Sequence, residues 1–163
     1  MHFTIRVATH RDRDDIWAIL QPMIRLGDTY TLPREMGREP ALAFWLAPEK
    51  ETFVCVENGA ILGTYFLRAN QGGGGSHVAN CGYVTAEAAQ GRGVARAMCL
   101  HSLERARERG FRAMQFNFVV STNSRAVELW KRLGFETVGQ LPGAFRHPVL
   151  GFVDALVMYR ELA

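Results

Sequence analysis

The segment Tyr83–Arg109, YVTAEAAQGRGVARAMCLHSLERARER, constrains this chain more than any other. It opens as a β-rich run and passes through Gln90-Gly91-Arg92-Gly93-Val94-Ala95. Apolar residues at helical spacing follow: Ala95, Met98/Cys99, Ser102/Leu103 and Ala106, with arginine and glutamate opposite. A strand, a glycine turn and an amphipathic helix in succession call for layered α and β structure. The two glycines let the backbone approach a ligand closely. The helix start adds unpaired N–H groups and the positive end of the dipole. Together these make a phosphate-binding corner, against the blander reading of a turn with no ligand.

The pattern separates the kinds of corner. A nucleotide P-loop needs G-x-x-x-x-G-K-[ST], and no Lys-Ser or Lys-Thr occurs nearby. A dinucleotide fingerprint needs a third glycine where Arg96 stands. What fits is [Q/R]-x-x-G-x-[G/A], read as Gln90, Gly93 and Ala95. This resembles the acyl-CoA signature of the GNAT N-acetyltransferase superfamily, which implies that the corner holds a coenzyme A pyrophosphate.

The rest of the chain is read in order. Phe3–Ala8 alternates as a first strand, and Ile16–Leu26 carries helical spacing closed by Gly27-Asp28. Thr29–Pro40 is irregular, and Ala41–Ala47 reads as a second helix ended by Pro48. Thr52–Val56 and Ile61–Leu67 flank Asn58-Gly59, a strong hairpin signal. Asn70–Ser76, with four glycines in a row, reads as a floppy loop or a mobile flap at a substrate mouth. His77–Thr85 is a strand, Gly93–Arg109 the helix, and Ala113–Val120 another strand. Asn123 is a good N-cap for a helix carrying Ala126, Val127, Trp130 and Leu133, with Gly134 closing it. Phe135–Leu141 and Phe152–Tyr159 are final strands joined by a long irregular link. The expected fold is therefore α+β, three-layered α/β/α: a mostly antiparallel mixed sheet of about seven strands with four helices, one domain over residues 1–163.

That order is also the order of the GNAT fold, and Asn123-Ser-Arg-Ala126-Val-Glu-Leu-Trp130…Gly134-Phe135 resembles the family's second motif, N-x-x-A-x-x-[LF]-[YW]…G-F. The resemblance implies an acetyl-CoA-dependent N-acetyltransferase in which Tyr83, Val84 and Thr85 pair with the pantetheine arm like an extra strand. Backbone N–H groups of Gln90, Gly91, Arg92, Gly93, Val94 and Ala95 would take the pyrophosphate, with charge from Arg92 and Arg96. Asn123, Ala126 and Trp130 would line the other side of the coenzyme, and an N–H at Tyr83 or Val84 would polarise the thioester carbonyl. The family often has tyrosine where Trp130 stands, as acid to the leaving thiolate. An indole N–H is far too weak for that, so Trp130 packs on pantetheine or fills core.

No carboxylate lies between His77 and Thr85; Asn80 is there instead, and Asn117 sits amid Phe116, Phe118 and Val119. A polar amide inside a central strand needs a partner. The two amides bond each other or a strand bulge, or they grip the acceptor while water carries the proton. Glu87, His147 and Asp154 are weaker base candidates, and Arg146 is either a surface arginine or a partner for an acceptor carboxylate. The stretches around Asn80 and Asn117 resemble N-acetyltransferases acting on proline analogues such as azetidine-2-carboxylate. That resemblance implies catalytic roles for Asn80 and Asn117 and a small-molecule amine or amino acid as acceptor. The rival readings are a protein or peptide acetyltransferase, a non-catalytic acyl-CoA sensor, and covalent transfer through Cys81.

Composition limits the other classes. The +3 net charge is scattered, which disfavours nucleic acid. Cys55, Cys81 and Cys99 form no C-x-x-C pair and no metal-ligand spacing, which fits reduced thiols in a cytoplasmic protein that needs no metal. The start lacks a signal-peptide run, and no stretch approaches the ~20 apolar residues of a membrane span. The apolar last strands allow a homodimer, as the family resemblance also does.

Overall fold

Period-two alternation along the β-rich runs builds one seven-stranded sheet, ordered β1-β2-β3-β4-β5-β7-β6. The computed structural model describes residues 2–162. The strands are β1 (Thr4–Val7), β2 (Glu51–Glu57), β3 (Ala60–Ala69), β4 (Val78–Thr85), β5 (Ala113–Val120), β6 (Glu136–His147) and β7 (Gly151–Glu161). The helices are α1 (Arg13–Leu26), α2 (Arg38–Trp45), α3 (Val94–Glu108) and α4 (Ser124–Arg132). The expected α+β architecture and its element order match. No helix among the described residues is long and apolar enough to cross a membrane.

Each sheet face buries a helix pair. Val94, Met98, Leu103 and Ala106 of α3, with Val127 and Trp130 of α4, pack on Tyr65, Leu67, Met114 and Phe116. On the opposite face Ile16, Leu20 and Ile24 of α1, with Leu42 and Trp45 of α2, pack on Val54, Phe66 and Val84. The buried polar groups here are partnered: the Trp45 indole donates to Thr64 Oγ1, which donates on to the Phe53 carbonyl.

All strand pairs are antiparallel except β4–β5, which is parallel and pairs only at Val78↔Ala113 and Ala79↔Met114. Beyond these two positions the strands separate although both run on. The crossover through α3 is what makes this pair parallel, and its splay lies in the middle of the molecule.

Several boundaries differ from the expectation. α1 starts at Arg13, inside the polar start signal Thr9–Asp15, where Asp12 accepts from the Thr9 N–H and so closes the turn before it. α2 starts at Arg38 and includes Pro40, which the first helical turn tolerates because its N–H would be unpaired anyway. Within the glycine run, Gly73–Gly75 forms a 3-10 turn with Gly75 N–H bonded to the Gly72 carbonyl. Most of the link after Leu141 is strand. β6 continues to His147, with a register shift between Leu141 and Phe145 that absorbs Pro142 and Gly143. An edge strand admits this, and Asp154 accepts the Gly143 N–H at 2.8 Å. Asn123 holds the N-cap position of α4, yet its side chain makes no capping bond.

Candidate active site

The glycine corner stands at the start of α3. Gly91 (φ 79°) and Gly93 (φ 85°) occupy the left-handed region, where a side chain would be strained. No atom lies within 4 Å of where a Cβ on Gly93 would sit, so the corner is an open cradle. The first intrahelical bond is from Ala97 N to Gly93 O, which leaves the N–H groups of Val94, Ala95 and Arg96 without helical partners. The Val94 side chain is buried against Gly63, so only its backbone faces outward. Gln90 is exposed beside these groups. Arg92, expected to meet phosphate, is held by the Glu57 carboxylate. A different cation lies over the loop: an Arg125 guanidinium nitrogen is 3.6 Å from the Cβ position of Gly91. Arg125 projects from the first turn of α4, and no linear spacing connects it to the corner.

Below the corner lies the splay. The Asn70 N–H bonds the Val78 carbonyl, and the Ala86 N–H bonds the Leu62 carbonyl. Even-numbered residues of β4 therefore turn their backbone groups toward β3, and odd-numbered residues turn theirs toward β5. From Cys81 onward β5 is not paired, so the N–H groups of Cys81, Tyr83 and Thr85 line the gap. Val84 is different: its backbone is paired with Thr64 and its side chain is buried among α1 and α2, which removes it as a carbonyl-polarising donor. One carbonyl in the gap has a side-chain partner: Tyr30 Oη donates to Tyr83 O at 3.1 Å. Gly82 makes room for this crossing, since a Cβ there would lie 2.9 Å from Tyr30 Oη and 2.6 Å from Phe66 Cε2.

Asn80 and Asn117 lie where the splay begins, but they do not bond each other. Asn80 Nδ2 donates 2.9 Å to the Gln115 carbonyl, one residue past the last β4–β5 pair. Asn117 sits in the register shift between Phe116 and Val119 that bends β5 away. Its Nδ2 donates 2.7 Å to Asn70 Oδ1, and its Oδ1 accepts from Gln115 Nε2 at 2.9 Å. Gln115 and Asn70 thus extend the two amides into a network. The amphipathic patterns gave no sign of it, because the partners come from β5 and from the loop after β3. Neither amide carboxamide is a proton acceptor at neutral pH; the network can orient an amine or a water.

On the other wall, Ala126 and Trp130 of α4 belong to the core cluster, and Asn123 starts that helix. The Trp130 ring packs 5.2 Å from Tyr83 and 5.0 Å from Phe116, so it fills core. The Tyr83 hydroxyl is engaged with Ser102 Oγ at 2.7 Å. The Cys81 thiol is buried, and burial pushes its pKa up, which disfavours the thiolate that covalent transfer needs. Asp154 is held below the usual carboxylate range by the Gly143 N–H and Gln140, and His147 Nδ1 accepts the Val149 and Leu150 N–H groups, so both are bound into the β6–β7 hairpin. Glu87 is exposed at the start of the 3-10 turn Glu87–Ala89 before the corner. Among the described residues no cluster of three or more His, Cys, Asp or Glu could hold a metal ion.

Comparison with known proteins bears on this geometry. The sequence model of the acetyltransferase (GNAT) family matches residues 14–135. The N-acetyltransferase aca1 of Schizosaccharomyces pombe is 28% identical, over 82% of this chain and 72% of its own length. A GCN5-related N-acetyltransferase from Kribbella flavida is 39% identical over 98% of this chain and 97% of its own, with a TM-score of 0.94. A phosphinothricin acetyltransferase from Sinorhizobium meliloti, solved in complex with acetyl-CoA, is 21% identical and shares the fold, with a TM-score of 0.87 over 100% of this chain and 90% of its own.

Proposed function

The chain belongs to the acetyltransferase (GNAT) family, and from that premise we propose that it moves the acetyl group of acetyl-CoA to the amine of a small molecule. The acceptor is an amino acid or a proline analogue such as azetidine-2-carboxylate, and attack is direct, within a ternary complex. The observation that carries this reading is the splay of β4 from β5 beyond Ala79, lined by the N–H groups of Cys81, Tyr83 and Thr85 and opening toward the glycine corner.

Acetyl-CoA supplies the activated thioester and a stable thiolate leaving group. The residues present fit it. The free N–H groups at the start of α3, with Arg125 beside Gly91, suit a pyrophosphate. The odd-numbered N–H groups of β4 suit an extended pantetheine arm and, at Tyr83, the carbonyl oxygen as negative charge develops there. Asn80 and Asn117 orient the acceptor amine and a water at the base of the gap. Water takes the amine proton, since Asp154 and His147 are engaged within the β6–β7 hairpin and Glu87 lies before the corner. Trp130 supplies no proton, so solvent protonates the sulfur.

Thiol release from acetyl-CoA, followed against a panel of amines that includes azetidine-2-carboxylate, tests the reading. Turnover on amino-acid amines is expected. Tight coenzyme binding with no turnover on any amine would sink it and identify an acyl-CoA sensor. Turnover on peptides alone would identify a peptide acetyltransferase.

A further inference from the structure

The chain segment after α1 and the tip of the β6–β7 hairpin enclose a cleft of about 360 Å³ on the α1/α2 side, lined by Gly27, Arg34, Arg146 and His147 with the hairpin turn. Both of its walls are tied to the splayed strands. Tyr30, three residues after Gly27, bonds the Tyr83 carbonyl of β4. Phe145, one residue before Arg146, packs its ring 6.2 Å from that of Phe118 in β5. The segments that carry the two walls thus each hold one contact to the splayed strands.

Its charge is one-sided. Seven arginines, among them Arg6, Arg92 and Arg105, meet a carboxylate, while others such as Arg25, Arg68 and Arg125 meet none among the described residues. Arg34 and Arg146 meet none among the described residues, and no acidic side chain lines the cleft. Arg34 is fixed in place all the same. Its Nε donates 3.0 Å to the Arg25 carbonyl, and Arg25 Nη1 donates back to the Arg34 and Met36 carbonyls at 2.8 and 2.7 Å. A Cβ on Gly27 would lie 2.5 Å from Arg34 Cδ, so glycine is required for the arginine to lie across the end of α1. The terminal nitrogens of Arg34 remain for a ligand. Arg146 stacks 5.0 Å over the Phe152 ring, which restrains a guanidinium without neutralising it. His147 Nδ1 accepts two backbone N–H groups, which puts the ring proton on Nε2 as a third donor.

We propose that Arg34 and Arg146 clamp the carboxylate of the acceptor, so that the substrate class is small amines bearing a carboxylate and the clamp points their nitrogen at the gap. Guanidinium forks match carboxylates in geometry and charge, and the cleft has room for an amino acid. The inference rests on the acetyl-transfer reading for the identity of the ligand as acceptor.

The test titrates azetidine-2-carboxylate, L-proline and their carboxamides into the wild-type protein saturated with coenzyme A. It repeats this with Arg34→Gln and Arg146→Gln, with calorimetry and acetyl-CoA turnover in parallel. At least one acid should bind about tenfold more tightly than its amide, and each variant should lose about tenfold on the acid and little on the amide. The KM for acetyl-CoA should not move, which also reports that the variants are folded. Acid and amide binding alike, no acid binding at all, or a raised KM for acetyl-CoA in place of lost acid binding would each overturn the clamp. Acid preference that the variants erase, in a protein that turns over no amine, would keep the clamp and fail the transfer reading.

Discussion

Glu57 decides where the guanidinium of Arg92 goes. Arg92 lies inside the motif and reads as the phosphate cation, but the Glu57 carboxylate on β2 engages it. Arg125, from a different helix, places its guanidinium over Gly91 with no carboxylate partner among the described residues. Replacing Arg125 by alanine removes one charge-assisted contact, so the KM for acetyl-CoA should rise about five- to tenfold with kcat nearly unchanged. Steady-state kinetics at low salt reads this, and an unchanged KM would return the role to the backbone alone. Arg125 stands within the second motif, two residues after Asn123, yet its direction of reach follows from how α4 packs against the corner.

At the scale of elements, the junction of β1 and α1 shows how local chemistry sets a boundary. Asp12 is buried and accepts from Arg6 at 2.8 and 3.0 Å and from the Thr9 N–H at 2.7 Å. The Arg6 guanidinium, ahead of the opposing effect of burial, holds the Asp12 carboxyl below its ordinary value of 3.8. A depressed carboxylate pKa contributes stability that is present above the unfolded value and is lost as pH falls through the folded one. Asp12→Asn should therefore cost ~1–2 kcal/mol at pH 7, with the gap to wild type closing below about pH 4. Urea unfolding at the two pH values measures it, and a gap independent of pH would remove the ion pair as its cause. The polar run Thr9–Asp15 marks the start of α1 in the sequence, and the Asp12 contacts fix it at Arg13. β6 reads as shorter than it is: Pro142 and Gly143 are breakers in a central strand, and only its position at the sheet edge allows the strand to pass through them.

For the whole molecule, the decisive contact joins segments far apart in the chain: Tyr30 crosses Gly82 to reach the Tyr83 carbonyl in the gap. Gly82→Ala would push a methyl to within 2.6 Å of the Phe66 ring and 2.9 Å of Tyr30 Oη. Overpacking of this kind should lower stability by ~1–3 kcal/mol, seen as a lower denaturant midpoint at constant slope; a midpoint equal to wild type would show that the crossing gives way freely. The sequence by itself determined the element order, the α+β layering and the glycine turn that opens α3, because periodicity, hairpin glycines and helix-start signals act within a few residues of each other. It also placed Asn80 and Asn117 on neighbouring central strands. Their bonding to Gln115 and Asn70, the turning of Val84 away from the gap, the pairing of Arg92 with Glu57 and the presence of Arg34 and Arg146 on one cleft were decided only in the tertiary structure. Each depends on strand register and on how two helix pairs sit on opposite faces of the sheet, and those are set by side-chain packing between residues tens of positions apart.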